Sequence, residues 1–185
     1  MTDADRFEAF VRRYQDMVFA SASRLLGNPS EAEDVAQTVF LKAFQRFDEI
    51  GRSPTAAGWL RTVTRHACLN YLSRYRARWR FFSELGRAAR DEAGDEAEAA
   101  YESTLVANES PALEMERTER REQLEQALCR LPDHQRVPLV LFHFEDAIYQ
   151  EIADTLRVSV GKVKTDIHRG REALRRHLTA GHESR

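Results

Sequence analysis

Apolar side chains recur at intervals of three and four along almost the whole chain, and one acidic stretch interrupts them. Phe7, Phe10, Val11, Tyr14, Val18, Ala22 and Leu25 form the first such series, which stops at Gly27-Asn28-Pro29. A period near 3.6 predicts amphipathic helices, and the alternation expected of strands is scarce. From about Gly86 to Glu109 the composition turns to Ala, Glu and Asp, with only Tyr101, Leu105 and Val106 as larger apolar residues. So few cannot bury a core. The chain is therefore expected to be all-α, with two small helical domains on either side of an acidic linker. Its 185 residues suit that division better than a large enzyme core.

The expected domains are 1–83, a linker at 84–111, a second domain at 112–180 and a tail at 181–185. Fully extended, the linker could reach on the order of 100 Å. In the first domain, Ser30 and Glu33 have the spacing of a capping box and predict a second helix there. Its apolar face would be Val35, Val39, Phe40, Ala43, Phe44 and Phe47. Asp48–Ser53 reads as a loop, and Ser53-Pro54 as the cap and first turn of a third helix. In the second domain a helix is expected from Pro111 to Leu131, then one from His134 to Phe144 capped by Asp133. Two more follow, at Tyr149–Leu156 and from Val160 to about Leu178, with Ser159 capping the last.

Charge is segregated. The net value of -2 conceals six arginines and no acid within residues 61–80, against twelve acids and five arginines within 84–122. The first stretch suits a polyanion, and the second would be repelled by one. Cys68 and Cys129 stand apart with no metal-ligand spacing around them, so neither a disulfide scaffold nor a metal site is expected, and the cytoplasm is the expected location. No cofactor or small-molecule substrate is implied: the histidines are scattered, and no Gly-rich phosphate loop occurs.

Two constellations carry the functional expectation. Two helices joined by a three-residue turn, the second rich in Lys, Arg and His, form a helix-turn-helix pattern. Ile152, Ala153, Leu156, Val158, Val163 and Ile167 would make its core. Lys162, Lys164, Thr165, His168, Arg169 and Arg171 would face duplex DNA, where basic groups hold phosphates and shorter polar ones address base edges. The second is the basic tract of the third helix, interleaved with Trp59, Tyr71, Tyr75 and Trp79. Aromatic rings beside arginines suit single-stranded DNA, since each stacked base contributes ~1–3 kcal/mol.

These residues resemble, in order and over essentially the whole chain, the extracytoplasmic-function group of sigma-70-type factors. Ala32-Glu33-Asp34-Val35-Ala36-Gln37-Thr38-Val39-Phe40-Leu41-Lys42-Ala43-Phe44 looks like the segment of region 2 that grips the clamp helices of RNA polymerase. Trp59-Leu60-x-x-Val63-x-x-x-Ala67-x-Leu69-Asn70-Tyr71-Leu72 resembles the helix that melts and reads the minus-ten element. Leu131-Pro132-x-x-x-Arg136, Tyr149-Gln150-Glu151-Ile152-Ala153 and Val160-Gly161-Lys162-Val163-Lys164 resemble region 4, the minus-thirty-five reader.

The resemblance implies core contacts by Asp34, Gln37, Phe40 and Leu41. It implies minus-ten contacts by Trp59, Arg61, Arg65, His66, Asn70, Arg74, Arg76 and Arg78, with the Asp48–Ser53 loop as a pocket for a flipped base. The His134–Phe144 helix would dock on the polymerase flap, and an anti-sigma factor is an implied partner. Three positions depart from the family pattern. His66 replaces a frequent Asn, Arg157 replaces a turn glycine that often has positive φ, and Asp166 replaces a usual basic residue of the recognition helix, where a carboxylate would weaken the attraction to phosphates or select a cytosine amine. A stand-alone helix-turn-helix regulator is the alternative; it would need a sensor or dimerisation domain, and no pattern for either occurs.

Overall fold

The computed structural model describes the backbone of residues 2–83 and 111–183, and the side chains of residues 2–73 and 117–179. The linker expected at 84–111 lies almost wholly outside the described residues. All the regular structure described is helical, in eight elements.

Helix α1 (Asp3–Leu26) opens on a reciprocal cap: Thr2 Oγ1 accepts the Asp5 N–H at 3.2 Å, and Asp5 Oδ2 accepts the Thr2 N–H at 2.7 Å. The Thr2 backbone N–H first, and the Thr2 hydroxyl second, favour the ionised carboxylate and hold Asp5 below its ordinary pKa. The helix stops at Gly27, whose φ of 67° is the left-handed conformation glycine adopts without strain. Helix α2 (Pro29–Gln45) is capped by Asn28, whose side chain accepts the Ser30 N–H at 3.0 Å. The expected Ser30 cap is thus displaced by two residues, because Pro29 lacks an N–H and already has the φ of a first helical residue.

The segment read as a loop at Asp48–Ser53 begins as a helical turn, α3 (Phe47–Ile50). Phe47 packs edge-on against Phe7 and Phe10, at 5.1 and 5.5 Å between centroids, and Ile50 is buried, so two apolar anchors one turn apart coil the chain. Helix α4 (Ala56–Ser83) begins three residues after Ser53. Ser53 still serves the turn, accepting the Thr55 N–H at 3.2 Å. Leu60, Thr64, Cys68 and Leu72, spaced by four, are its buried line against α1 and α2. Thr64 is satisfied by donating to the Leu60 carbonyl at 2.7 Å.

The second bundle comprises α5 (Pro111–Cys129), α6 (Asp133–Phe144), α7 (Tyr149–Leu156) and α8 (Val160–Glu183). Asp133 is the first residue of α6 rather than its cap; Pro132 holds the cap position, and the Asp133 carboxylate turns to Arg136 at 2.5 Å. Ser159 caps α8 as expected, accepting the Lys162 N–H at 3.2 Å. α8 continues to Glu183, so most of the expected tail at 181–185 is helix.

Helix α7 ends at Arg157, with φ 55° and ψ 47°, and the Val158 N–H closes back on the Ala153 carbonyl at 3.0 Å. The expected positive φ is present, in a residue whose Cβ makes that conformation cost about 1–2 kcal/mol. Arg157→Gly is therefore expected to raise unfolding stability by about 1 kcal/mol, after the greater freedom of an unfolded glycine is offset. Chemical denaturation checks this; a lower midpoint would mean that the arginine side chain stabilises the turn by more than its strain.

The two bundles touch. Helix α1 packs against both α5 and α6, a contact that an open tether between independent modules does not anticipate.

Candidate nucleic-acid and partner interfaces

In the helix-turn-helix, Ile152, Ala153, Val163 and Ile167 are buried and Leu156 is half-buried, as the spacing predicts. Val158 is not in that core: it is 39% exposed, because the turn places it beyond the left-handed residue on the outer side. At 100° per residue, Val163, Asp166, Ile167, Gly170 and Leu174 fall on the core side of α8, and the basic residues cover roughly the other half of its circumference.

Within that half the side chains differ in freedom. Lys164, His168 and Arg169 are exposed. Thr165 is half-buried, with its hydroxyl donating to the Gly161 carbonyl at 3.0 Å. Lys162 is exposed but ion-paired with Asp166 one turn on. Arg171 lies 5.7 Å from the Phe142 ring centroid and donates from Nε to His143 Nε2 at 3.1 Å. Burial, then the Arg171 charge, pull the His143 pKa down, so the ring stays neutral and can accept that bond. Lys164 Nζ stands 5.7 Å from the Tyr149 ring, itself stacked on Phe142 at 4.7 Å.

Asp166 is 5% exposed and sits on the core side, so it does not face a groove or select a cytosine. Its neighbour His134 has its pKa lowered chiefly by burial, with Asp166 opposing that shift. Arg175, exposed and one turn beyond Arg171, extends the basic strip. Continuing the spacing of four from Arg171 would have found it.

On α4 the expected minus-ten set divides. Trp59, His66 and Asn70 lie within about 40° of one another around the helix axis. His66 and Asn70 are exposed and Trp59 is half-buried against the core. Arg61, exposed, and Arg65, half-buried, lie roughly 100–180° round the helix from that strip, so α4 does not bring them onto the same face. The side chains of Arg74, Arg76 and Arg78 lie outside the described residues. Cys68, buried beneath this helix, has its thiol pushed up to about 12 by desolvation first and Glu145 second. A protonated, enclosed thiol is unreactive.

Between α1 and α2 runs a groove of about 740 Å³ whose wall includes Phe19, Phe40, Leu41 and Phe44, with Asp16 and Glu33 alongside. Leu41 is 66% and Phe44 60% exposed, so Phe44 leaves the core face expected for it. Gln37 and Phe40 line the same groove, while Asp34 is exposed on α2 outside its wall. Phe19, off the buried stripe of α1, was the residue to notice in the sequence. Among the described residues no three His, Cys, Asp or Glu side chains group to hold a metal, and no helix is long and apolar enough to cross a membrane.

Comparison with known proteins gives two matches in chain order: Sigma-70 region 2 over residues 10–79, and Sigma-70 region 4 over residues 121–174. The ECF RNA polymerase sigma factor SigW of Bacillus subtilis is 30% identical over 95% of this chain and 90% of its own. The RNA polymerase sigma-H factor of Pseudomonas aeruginosa is 30% identical over 95% of this chain and 88% of its own. A solved structure of the sigma factor RpoE in complex with the anti-sigma factor NepR from Bartonella quintana is 21% identical. It has a TM-score of 0.47 and covers 94% of this chain and 96% of that one. With both regions matched in order and full-length relatives at 30% identity, the chain belongs to the extracytoplasmic-function group of the sigma-70 family of RNA polymerase sigma factors.

Proposed function

We propose that this protein directs core RNA polymerase to promoters, with region 4 reading the minus-thirty-five element, region 2 opening and reading the minus-ten element, and the α1–α2 groove seating the polymerase clamp. The observation that carries this reading is the pairing, in one chain, of an exposed basic arc on a recognition helix with an apolar groove on a separate helical bundle. DNA alone would need only the first.

Arg169 is the free reader; Lys164, over the Tyr149 ring, and His168, whose Nε2 lies 3.6 Å from Glu172 Oε1, are exposed readers with local partners, and Thr165 lies between them. Lys162 and Arg171 join only after leaving Asp166 and His143. On α4 the reading assigns base contact to Trp59, His66 and Asn70, and backbone contact to Arg61, Arg65, Arg74, Arg76 and Arg78. Gln37, Phe40 and Leu41 contact the clamp through the groove, and Asp34 at its edge. The protein performs no catalytic chemistry of its own; it acts in the cytoplasm and is restrained by an anti-sigma partner. The domain bounds expected above, 1–83 and 112–180, enclose the two family matches.

Arg169 is exposed and, among the described residues, makes no ion pair that would compete with a phosphate. Arg169→Ala is therefore expected to weaken promoter binding and to lower the slope of log K against log salt by about one unit. Titration of minus-thirty-five duplex at several salt concentrations reads it. A slope identical to that of the wild type removes the phosphate contact.

A further inference from the structure

We infer that region 4 is latched onto the C-terminal end of α1 in the free protein, through Arg136, and that this seat competes with the polymerase flap for α6. The competition, though not the latch, rests on the flap-docking reading of α6.

Arg136 is 3% exposed, and its guanidinium ends in a cage of acceptors drawn from both bundles. It donates to the α1 carbonyls of Leu26 at 2.7 Å and Leu25 at 3.4 Å, and to Leu131 and Asp133 of its own bundle at 2.7 and 2.5 Å. The last carbonyls of a helix have no partner within it, and they sit at the negative end of its dipole. A buried guanidinium satisfies both demands at once.

Gly27 makes room for it. A Cβ there would lie 2.4 Å from the guanidinium, so any side chain would push the arginine out of its seat. Around this centre Arg24 pairs with Glu125 at 2.5 Å and lies 4.7 Å from the Phe144 ring centroid, and Ser21 donates to Glu145 at 3.0 Å. Four residues of one helix thus meet four of the other bundle through directed polar contacts.

The consequence for α6 follows from its burial. Six consecutive residues, Arg136 to Leu141, are buried, and six consecutive positions run right round a helix. Over Arg136 to Leu141 helix α6 is enclosed by α8 and α1, and among the described residues no face of that stretch remains for a further helix. The two promoter elements, some 25 base pairs apart by their names, lie about 85 Å from each other along duplex DNA. Bundles in direct contact cannot occupy both. Seating the flap on α6 and separating the readers therefore require the same event, release of α1.

The Arg24–Glu125 pair permits a test that leaves Arg136 and the proposed DNA and clamp contacts intact. The full-length chain, labelled at the exposed positions Gln45 and Thr155, is measured by a donor–acceptor distance in solution. Arg24→Glu and Glu125→Arg are each expected to lengthen and broaden the wild-type distance, while the Arg24→Glu/Glu125→Arg double variant restores it. Gly27→Ala opens the seat from the other side. Helical circular dichroism and minus-thirty-five duplex affinity should stay unchanged throughout. Because the closed form withholds binding-competent chain, the single variants should bind purified core polymerase about fivefold or more tighter than the wild type.

A wild-type distance already as long as that of the variants, or a double variant that stays open, would overturn the latch. Open variants with no gain in core affinity would overturn the competition. A closed wild type whose opened variants show no core binding at all would instead contradict the function proposed above and leave the latch standing.

Discussion

Leu41→Glu is expected to cut the affinity for core polymerase by a hundredfold or more while leaving the fold intact. Leu41 is 66% exposed, so its replacement removes almost no contact within the free protein. Stability should shift by no more than about 0.5 kcal/mol, as surface changes usually do. In a complex, the same side chain becomes an apolar anchor in a groove walled by Phe19, Phe40 and Phe44. Truncating a central anchor costs about 2–4 kcal/mol, roughly 30- to 1,000-fold in affinity, and a buried unpaired carboxylate adds to that. Titration of labelled protein with purified core reads the loss, and circular dichroism guards against misfolding. Unchanged affinity would remove the groove from the clamp interface.

The second large effect concerns the fold itself. Arg136→Ala is expected to destabilise the protein by about 3–5 kcal/mol, the range for removing one partner of a buried charge-assisted network. The cost arises from what is left behind: the carbonyls of Leu25, Leu26 and Leu131 would be stripped of a buried donor. Arg136→Lys should recover only part of this, because one ammonium cannot reach acceptors spread over a planar fork. Denaturant unfolding checks both. A loss below about 1 kcal/mol for Arg136→Ala would show that water replaces the guanidinium freely.

Much of the architecture was legible because helices declare themselves locally. The period of apolar residues located α1, α2, α4 and α8, and Ile152, Ala153, Val163 and Ile167 fell where their spacing put them. The caps were less legible, since Asn28 and Ser30 are both good cap residues and only the place of Pro29 decides between them. α3 was missed because a single turn is too short for a period to show, and its formation depends on Phe47 meeting rings from α1.

The candidate sites show the same division. That Lys162 is paired could be read from Asp166, four residues on; that Arg171 is held could not, because His143 lies 28 residues away. Asp166 was misplaced toward DNA because its type drew more weight than its position, which is on the buried side of α8. Arg136 was visible only as one letter of a motif. Nothing local to it announces that its partners are the last carbonyls of a helix more than a hundred residues earlier.

This chain tells a polymerase where to start. Run-off transcription by purified core on a promoter library, with and without the full-length protein, tests it most directly. Discrete new start sites that depend on the protein are expected, with transcripts sharing upstream minus-ten and minus-thirty-five elements, and with their loss in Leu41→Glu. A core whose start sites are the same with and without the protein would contradict it.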